Sequence, residues 1–173
     1  MELLIPGLLL VGLMVYASTR IKRLAAKALE PETIETDQFS IMKPDGLISV
    51  VAPDNGLLFD AHTREFADEP ADGFRKAAAT VRMRENEDFD RFSTALVNSG
   101  GHVKDDVSSK VGEMRTRSIE IIDSENGVSI SRFHKLVQNK EKLFDLQIEI
   151  PADHREQFDP ALRQMADSFL VKD

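Results

Sequence analysis

Asp60, His62 and Arg64 alternate along one predicted strand, so their side chains project from the same face. A carboxylate, an imidazole and a guanidinium lining a cleft could do hydrolytic chemistry, with Asp60 orienting His62 as base for a serine supplied from elsewhere. The same alternation describes a strand with a solvated face, and nothing around it selects the catalytic reading. His134, between Phe133 and Lys135, could serve as a pH sensor, because unperturbed imidazole titrates near neutrality. An exposed or hydrogen-bonded structural histidine fits that position equally. Glu85 to Asp90 (ENEDFD) has the composition of a cation cluster but lacks the glycine and ligand spacing of an EF-hand loop. Acidic residues are in any case expected in the first turn of a helix.

Motif chemistry is otherwise missing. The four histidines show no HExxH or other close spacing, so the sequence contains no local zinc motif. Ser99-Gly100-Gly101 is not a nucleophile elbow, and no GxSxG, phosphate-binding loop or GxGxxG occurs. The absence of cysteine excludes a thiol nucleophile and any disulfide. The sequence therefore assigns no catalytic, cofactor or metal residue, and it is read as a non-enzyme without a cofactor.

The elements that would position these residues are short strands bounded by Gly, Pro, Asp and Asn: Gln38–Met42, Leu47–Val51, Leu57–Phe66, Ala78–Arg84, Met114–Asp123, Val128–Val137 and Lys142–Ile150. The last alternates Phe144, Leu146, Ile148 and Ile150 with Asp145, Gln147 and Glu149, which predicts one buried and one wet face in an antiparallel sheet. Asn126-Gly127 and Asn139-Lys140 supply the reversals of a three-strand meander over Met114–Ile150. Asn86 is the expected cap of a helix over Glu87–Asn98, with Phe89, Phe92 and Leu96 on one stripe and Gly100-Gly101 as its stop. A second helix is expected after Asp159, with Pro160 at its first position and Leu162, Met165, Ala166 and Phe169 on its apolar side. Such helical stripes normally pack on a core.

The opening strand followed by Lys43-Pro44-Asp45-Gly46, the mid-chain helix, the meander, the segment LFDLQIEIP (143–151) and the closing helix with MADSF (165–169) resemble the PsbP/Mog1-like α/β/α sandwich group over about Gln38–Val171. That group includes photosystem II accessory proteins, a nuclear-transport factor and bacterial envelope proteins. The resemblance implies a non-enzymatic module that docks on larger assemblies, and it hands over no catalytic residue. Two departures stand against it. Leu47 occupies a place where the family commonly has tryptophan, of which this chain has none, and the family's usual placement is lumenal, periplasmic or nuclear.

The N-terminus points to a membrane. Leu3 to Ser18 carries no charge, and Leu3, Leu4, Ile5, Leu8, Leu9, Leu10, Val11, Leu13 and Val15 each favour insertion by roughly 0.3–0.6 kcal/mol, about 3–5 kcal/mol together. The uncharged run spans roughly 24 Å as a helix, short of a hydrocarbon core of about 30 Å, and extension to Ile21 with Arg20 snorkelling closes most of the gap. A cleaved signal is the competing reading, disfavoured by Glu2 ahead of the apolar run and by the poor cleavage site Tyr16-Ala17-Ser18. Arg20, Lys22, Arg23 and Lys27 form a basic flank suited to anionic headgroups, and they predict an outside N-terminus and a cytoplasmic domain, as in a bacterial inner membrane.

The sequence thus divides into a transmembrane anchor with its basic flank (1–23), a juxtamembrane helix and polar linker (24–37), and one α+β domain of antiparallel sheet and flanking helices (38–173). Of the chain's net charge of −8, residues beyond 30 carry 18 basic and 28 acidic groups, and so acidic a body disfavours nucleic acid. The expected partners are the bilayer and a protein within the membrane, and the expected role is that of a single-pass, membrane-anchored accessory domain. The alternative is a lipid-, ion- or small-ligand-binding envelope module on the outer face, or one released by signal cleavage.

Overall fold

The alternating segment near the end of the chain becomes the middle strand of the larger of two sheets. The computed structural model describes residues 4–51, 56–63 and 75–172, with the backbone alone for residues 4–10. Among them the order is α1 (Leu4–Leu29), β1 (Glu32–Glu35), β2 (Phe39–Lys43), β3 (Leu47–Val51), β4 (Leu57–Thr63), β5 (Ala78–Glu85), α2 (Phe89–Val97), β6 (His102–Val111), β7 (Met114–Glu125), β8 (Val128–Asn139), β9 (Lys142–Pro151), a 3-10 turn at Ala152–His154, α3 (Arg155–Ser168) and β10 (Leu170–Val171). Seven strands pair in the order β3-β4-β5-β9-β8-β7-β6 and three in the order β1-β2-β10, and every pairing is antiparallel.

Both faces of the large sheet are used. Phe144, Leu146, Ile148 and Ile150 of β9 join Phe59, Val81 and Val137 in the main core, which Leu162, Met165 and Ala166 of α3 and Ile34, Phe39 and Ile41 of the small sheet close over. Leu143 points the other way and joins Ile119, Ile121 and Leu136 beneath Phe89, Phe92 and Leu96 of α2. Each such side chain contributes roughly 1.5–3 kcal/mol through burial. Two helices on opposite faces of one sheet make an α/β/α sandwich. Phe169 caps the end of α3 and sets its ring 5.7 Å from that of Phe39, tying the end of that helix to the small sheet.

Several expectations are corrected in detail. The meander has four strands, because the charged and exposed run His102–Val111 pairs with β7 as an edge strand. Helix α2 is capped by Asp88, whose carboxylate accepts the Arg91 N–H at 2.7 Å; Asn86 instead occupies a left-handed turn at φ +56°. Helix α3 starts at Arg155, so Pro160 lies inside it, and Asp159 pairs with Arg163 rather than capping. The polar linker also holds structure, since Ile34 buries itself and pulls Glu32–Glu35 into a strand against β2.

At the N-terminus the long helix forms, but among the described residues no helix is long and apolar enough to cross a membrane. The basic residues from Arg20 onward fill the second half of α1, which leaves the apolar run as its first half alone. Leu3 lies outside the described residues, as do the side chains of Leu4, Ile5, Leu8, Leu9 and Leu10. Val11, Leu13 and Val15 are between 59 and 71% exposed.

Candidate functional site

Asp60 and His62 do meet. Strand alternation sets both on one face of β4, with Nδ1 of His62 3.2 Å from a carboxylate oxygen of Asp60 and both side chains half-buried. Arg64 lies outside the described residues. The residues directly opposite His62 are Ile48 and Ala78, and those opposite Asp60 are Val50 and Thr80. Neither neighbouring strand therefore places a serine directly opposite the pair.

A second histidine–aspartate pair lies on the same face. His134 on β8 and Asp145 on β9 are both buried, with Nδ1 2.9 Å from the carboxylate. Cross-strand register places Asp60, Thr80, Gln147 and His134 in one row over four adjacent strands. At about 4.8 Å per strand, Asp60 and His134 are roughly 14 Å apart, too far for the two imidazoles to share a small ion. The β9 face expected to be wet is thus partly enclosed, because each polar group on it has a bonded partner. Gln147 donates to Glu149 at 2.8 Å, and Arg132 gathers Glu149, Asp123 and Glu125. Burial opposes the charge on Arg132, but the hydrogen bonds to Glu149 and Glu125 and the charges of Glu149 and Asp123 outweigh it and raise its pKa. The Asn139-Lys140 turn contained the signal for the buried pair, since the register it imposes sets His134 diagonal to Asp145.

The other face holds a feature that sequence reasoning missed. Glu120 is almost fully buried and accepts from Lys104 at 3.1 Å, Arg155 at 2.5 Å, Arg163 at 2.8 Å and Ser131 at 3.3 Å. Burial pushes the Glu120 carboxyl up. The hydrogen bonds from Arg163 and Lys104 and the charges of Arg155 and Arg163 prevail and hold it at about 2. The adjoining crevice is of water-molecule size, so this cluster clamps α3 to the sheet and leaves no room for a substrate. Within the acidic run 85–90, Asp88 is a helix cap and Asp90 pairs with Arg115.

The most unusual polar side chain is Lys43. Its residue is 1% exposed, and its ammonium donates to the carbonyls of Ala28, Glu30 and Leu47. Those acceptors are the end of α1, the residue after it and the start of β3. The Gly46 N–H adds a bond to the Leu29 carbonyl at 2.9 Å. Orphan carbonyls at the C-terminal end of a helix need donors, and a cation there also complements the helix dipole. Helix α1 is therefore joined to the domain by a bonded corner and not by a tether.

No protein-family model matches this sequence, and no curated protein matches it either. Solved structures do match. Cyanobacterial PsbP (CyanoP) from Synechocystis sp. PCC 6803 aligns with a TM-score of 0.54 at 14% identity, covering 84% of this chain and 93% of that one. LpqN of Mycobacterium tuberculosis, a protein involved in cell envelope biogenesis, aligns with a TM-score of 0.59 at 12% identity, covering 83% and 91%. Identity this low speaks for the fold alone. Together with the sandwich described above, these alignments show that the domain has the PsbP/Mog1-like fold.

Proposed function

We propose that the chain is a membrane-attached, non-enzymatic accessory domain, held to a bilayer by the first half of α1 and docking on a larger membrane complex. The observation that carries this reading is a helix whose described apolar side chains, from Val11 to Tyr16, are all exposed while its far end is bonded into the domain at Lys43. Clustered exposed apolar side chains are costly in water and favourable in lipid. Arg20, Lys22, Arg23 and Lys27 then lie at headgroup level, where anionic lipid would attract them. The docking role draws support from the fold, which CyanoP shares, and from side chains committed to structural bonds rather than to a reaction.

The test is flotation of the full-length protein with liposomes, followed by purification from native membranes in mild detergent. Attachment predicts that the protein rises with the liposomes and that Leu9→Arg/Leu13→Arg stays at the bottom. The docking role predicts stoichiometric recovery of a membrane complex. A wild-type protein that fails to float overturns the attachment, and one that floats but is always recovered alone overturns the docking role.

A further inference from the structure

A cleft of about 450 Å³ opens where the tip of the β8–β9 hairpin faces the turn before β2 and the end of the chain. That volume lies within the roughly 300–1,000 Å³ of small-molecule sites. Asp37, Lys140, Glu141, Lys142 and Lys172 line it, with Phe144, a core residue 2% exposed, at its base. The walls are preformed. The Lys172 N–H donates to the Gln38 carbonyl at 2.8 Å, its carbonyl accepts from Asn139 at 3.2 Å, and its ammonium donates to the Thr36 carbonyl at 2.8 Å. On the hairpin side the Glu141 carbonyl accepts the Asn86 N–H at 2.9 Å.

Charge singles out the hairpin tip. Among the described lining residues three ammonium groups meet two carboxylates, in a chain whose net charge is −8. The Lys172 ammonium is occupied by Thr36, whereas the ammonium groups of Lys140 and Lys142 make no hydrogen bond or ion pair among the described residues, Glu85 standing across the strand from Lys142. Lys140 also sits at φ +56°, a left-handed conformation in which glycine or asparagine would be less strained. The two carboxylates cap how much negative charge the cleft accepts, and the Phe144 floor favours an apolar portion.

We propose that this cleft binds a singly charged anion, such as a carboxylate, on an aromatic or short aliphatic body, with Lys140 and Lys142 holding the charge and the body lying toward Phe144. This inference goes beyond membrane attachment and does not depend on it.

Benzoate and benzamidine, of similar shape and opposite charge, are the probes, titrated into the full-length protein in neutral detergent and followed by calorimetry or ligand NMR. Benzoate is expected to bind saturably at one site and benzamidine not at all. Lys140→Glu/Lys142→Glu should weaken benzoate at least tenfold with an unchanged thermal midpoint, Lys140→Gln/Lys142→Gln should weaken it less, and Lys110→Glu on β6 should leave it intact. Absence of saturable benzoate binding, equal binding of benzamidine, or benzoate binding that survives charge reversal at the hairpin overturns the proposal.

Discussion

The ammonium of Lys43 lies 3.0 Å from the carbonyl of Ala28, and through that bond the first helix and the first strands of the domain share one corner. Burial pushes the Lys43 pKa down, opposed by the carboxylates of Glu32, Asp45 and Glu30. Lys43→Met keeps the length of the side chain and strips three carbonyls of their donor. We expect a loss of about 1–3 kcal/mol in urea unfolding and faster amide exchange at Gly46, whose N–H bonds to Leu29. Unchanged exchange at Gly46 would show that the corner holds without the lysine.

Glu120 makes stability depend on acidity. Its carboxyl falls from 4.5 to about 2 on folding, so its contribution is complete above the unfolded value and is lost as pH drops from 4.5 toward 2. A shift of that size corresponds to about 3 kcal/mol. Glu120→Gln should therefore be less stable than wild type by up to that amount at about pH 7, with the gap closing as pH approaches 2. Denaturant unfolding of both proteins across this range is the measurement, and a gap that does not depend on pH would contradict the linkage.

The buried pair of His134 and Asp145 joins two central strands. Removing the carboxylate by Asp145→Ala leaves a buried imidazole N–H without its acceptor, at a cost of about 1–3 kcal/mol. A double-mutant cycle with His134→Ala should return a coupling of roughly 0.5–3 kcal/mol. Coupling near zero would mean that packing alone holds the two strands.

The basic side of α1 makes a prediction about lipid. Arg20, Arg23 and Lys27 recur at i, i+3 and i+7 and so form one exposed stripe, with Lys22 on another side of the helix. Changing all four to glutamine should weaken binding to anionic vesicles by about 1 kcal/mol per charge, and added salt should erase the difference. Equal binding of the two forms to anionic and zwitterionic vesicles would remove the stripe from the attachment.

What depends on neighbours in sequence is legible in the chain itself. The alternation of Phe144 to Ile150 announced a strand with a core face, the stripe Phe89, Phe92 and Leu96 announced α2, and Asn126-Gly127 announced a hairpin, whose two residues take φ +53° and +82°. Together with the Lys43-Pro44-Asp45-Gly46 turn and the closing helix, these sufficed for the sandwich resemblance. Strand β6 escaped because an edge strand exposed along almost its whole length has no buried alternation to display, and β1 escaped because one buried residue, Ile34, cannot form a pattern.

What tertiary structure alone decided are the pairings between residues distant in the chain. Hydrophobic period places a side chain on a face, but the partner across that face depends on strand order, and the order here runs β5 beside β9 and sends β6 to the far edge. That order brings Asp60 and His134 into one row, gathers Lys104, Arg155 and Arg163 around Glu120, and closes a cleft between the β8–β9 turn and Lys172. Lys43 shows the same division. In the sequence it is a lysine in a Lys-Pro-Asp-Gly turn, and only the docking of a helix end against that turn makes it a buried donor to three carbonyls.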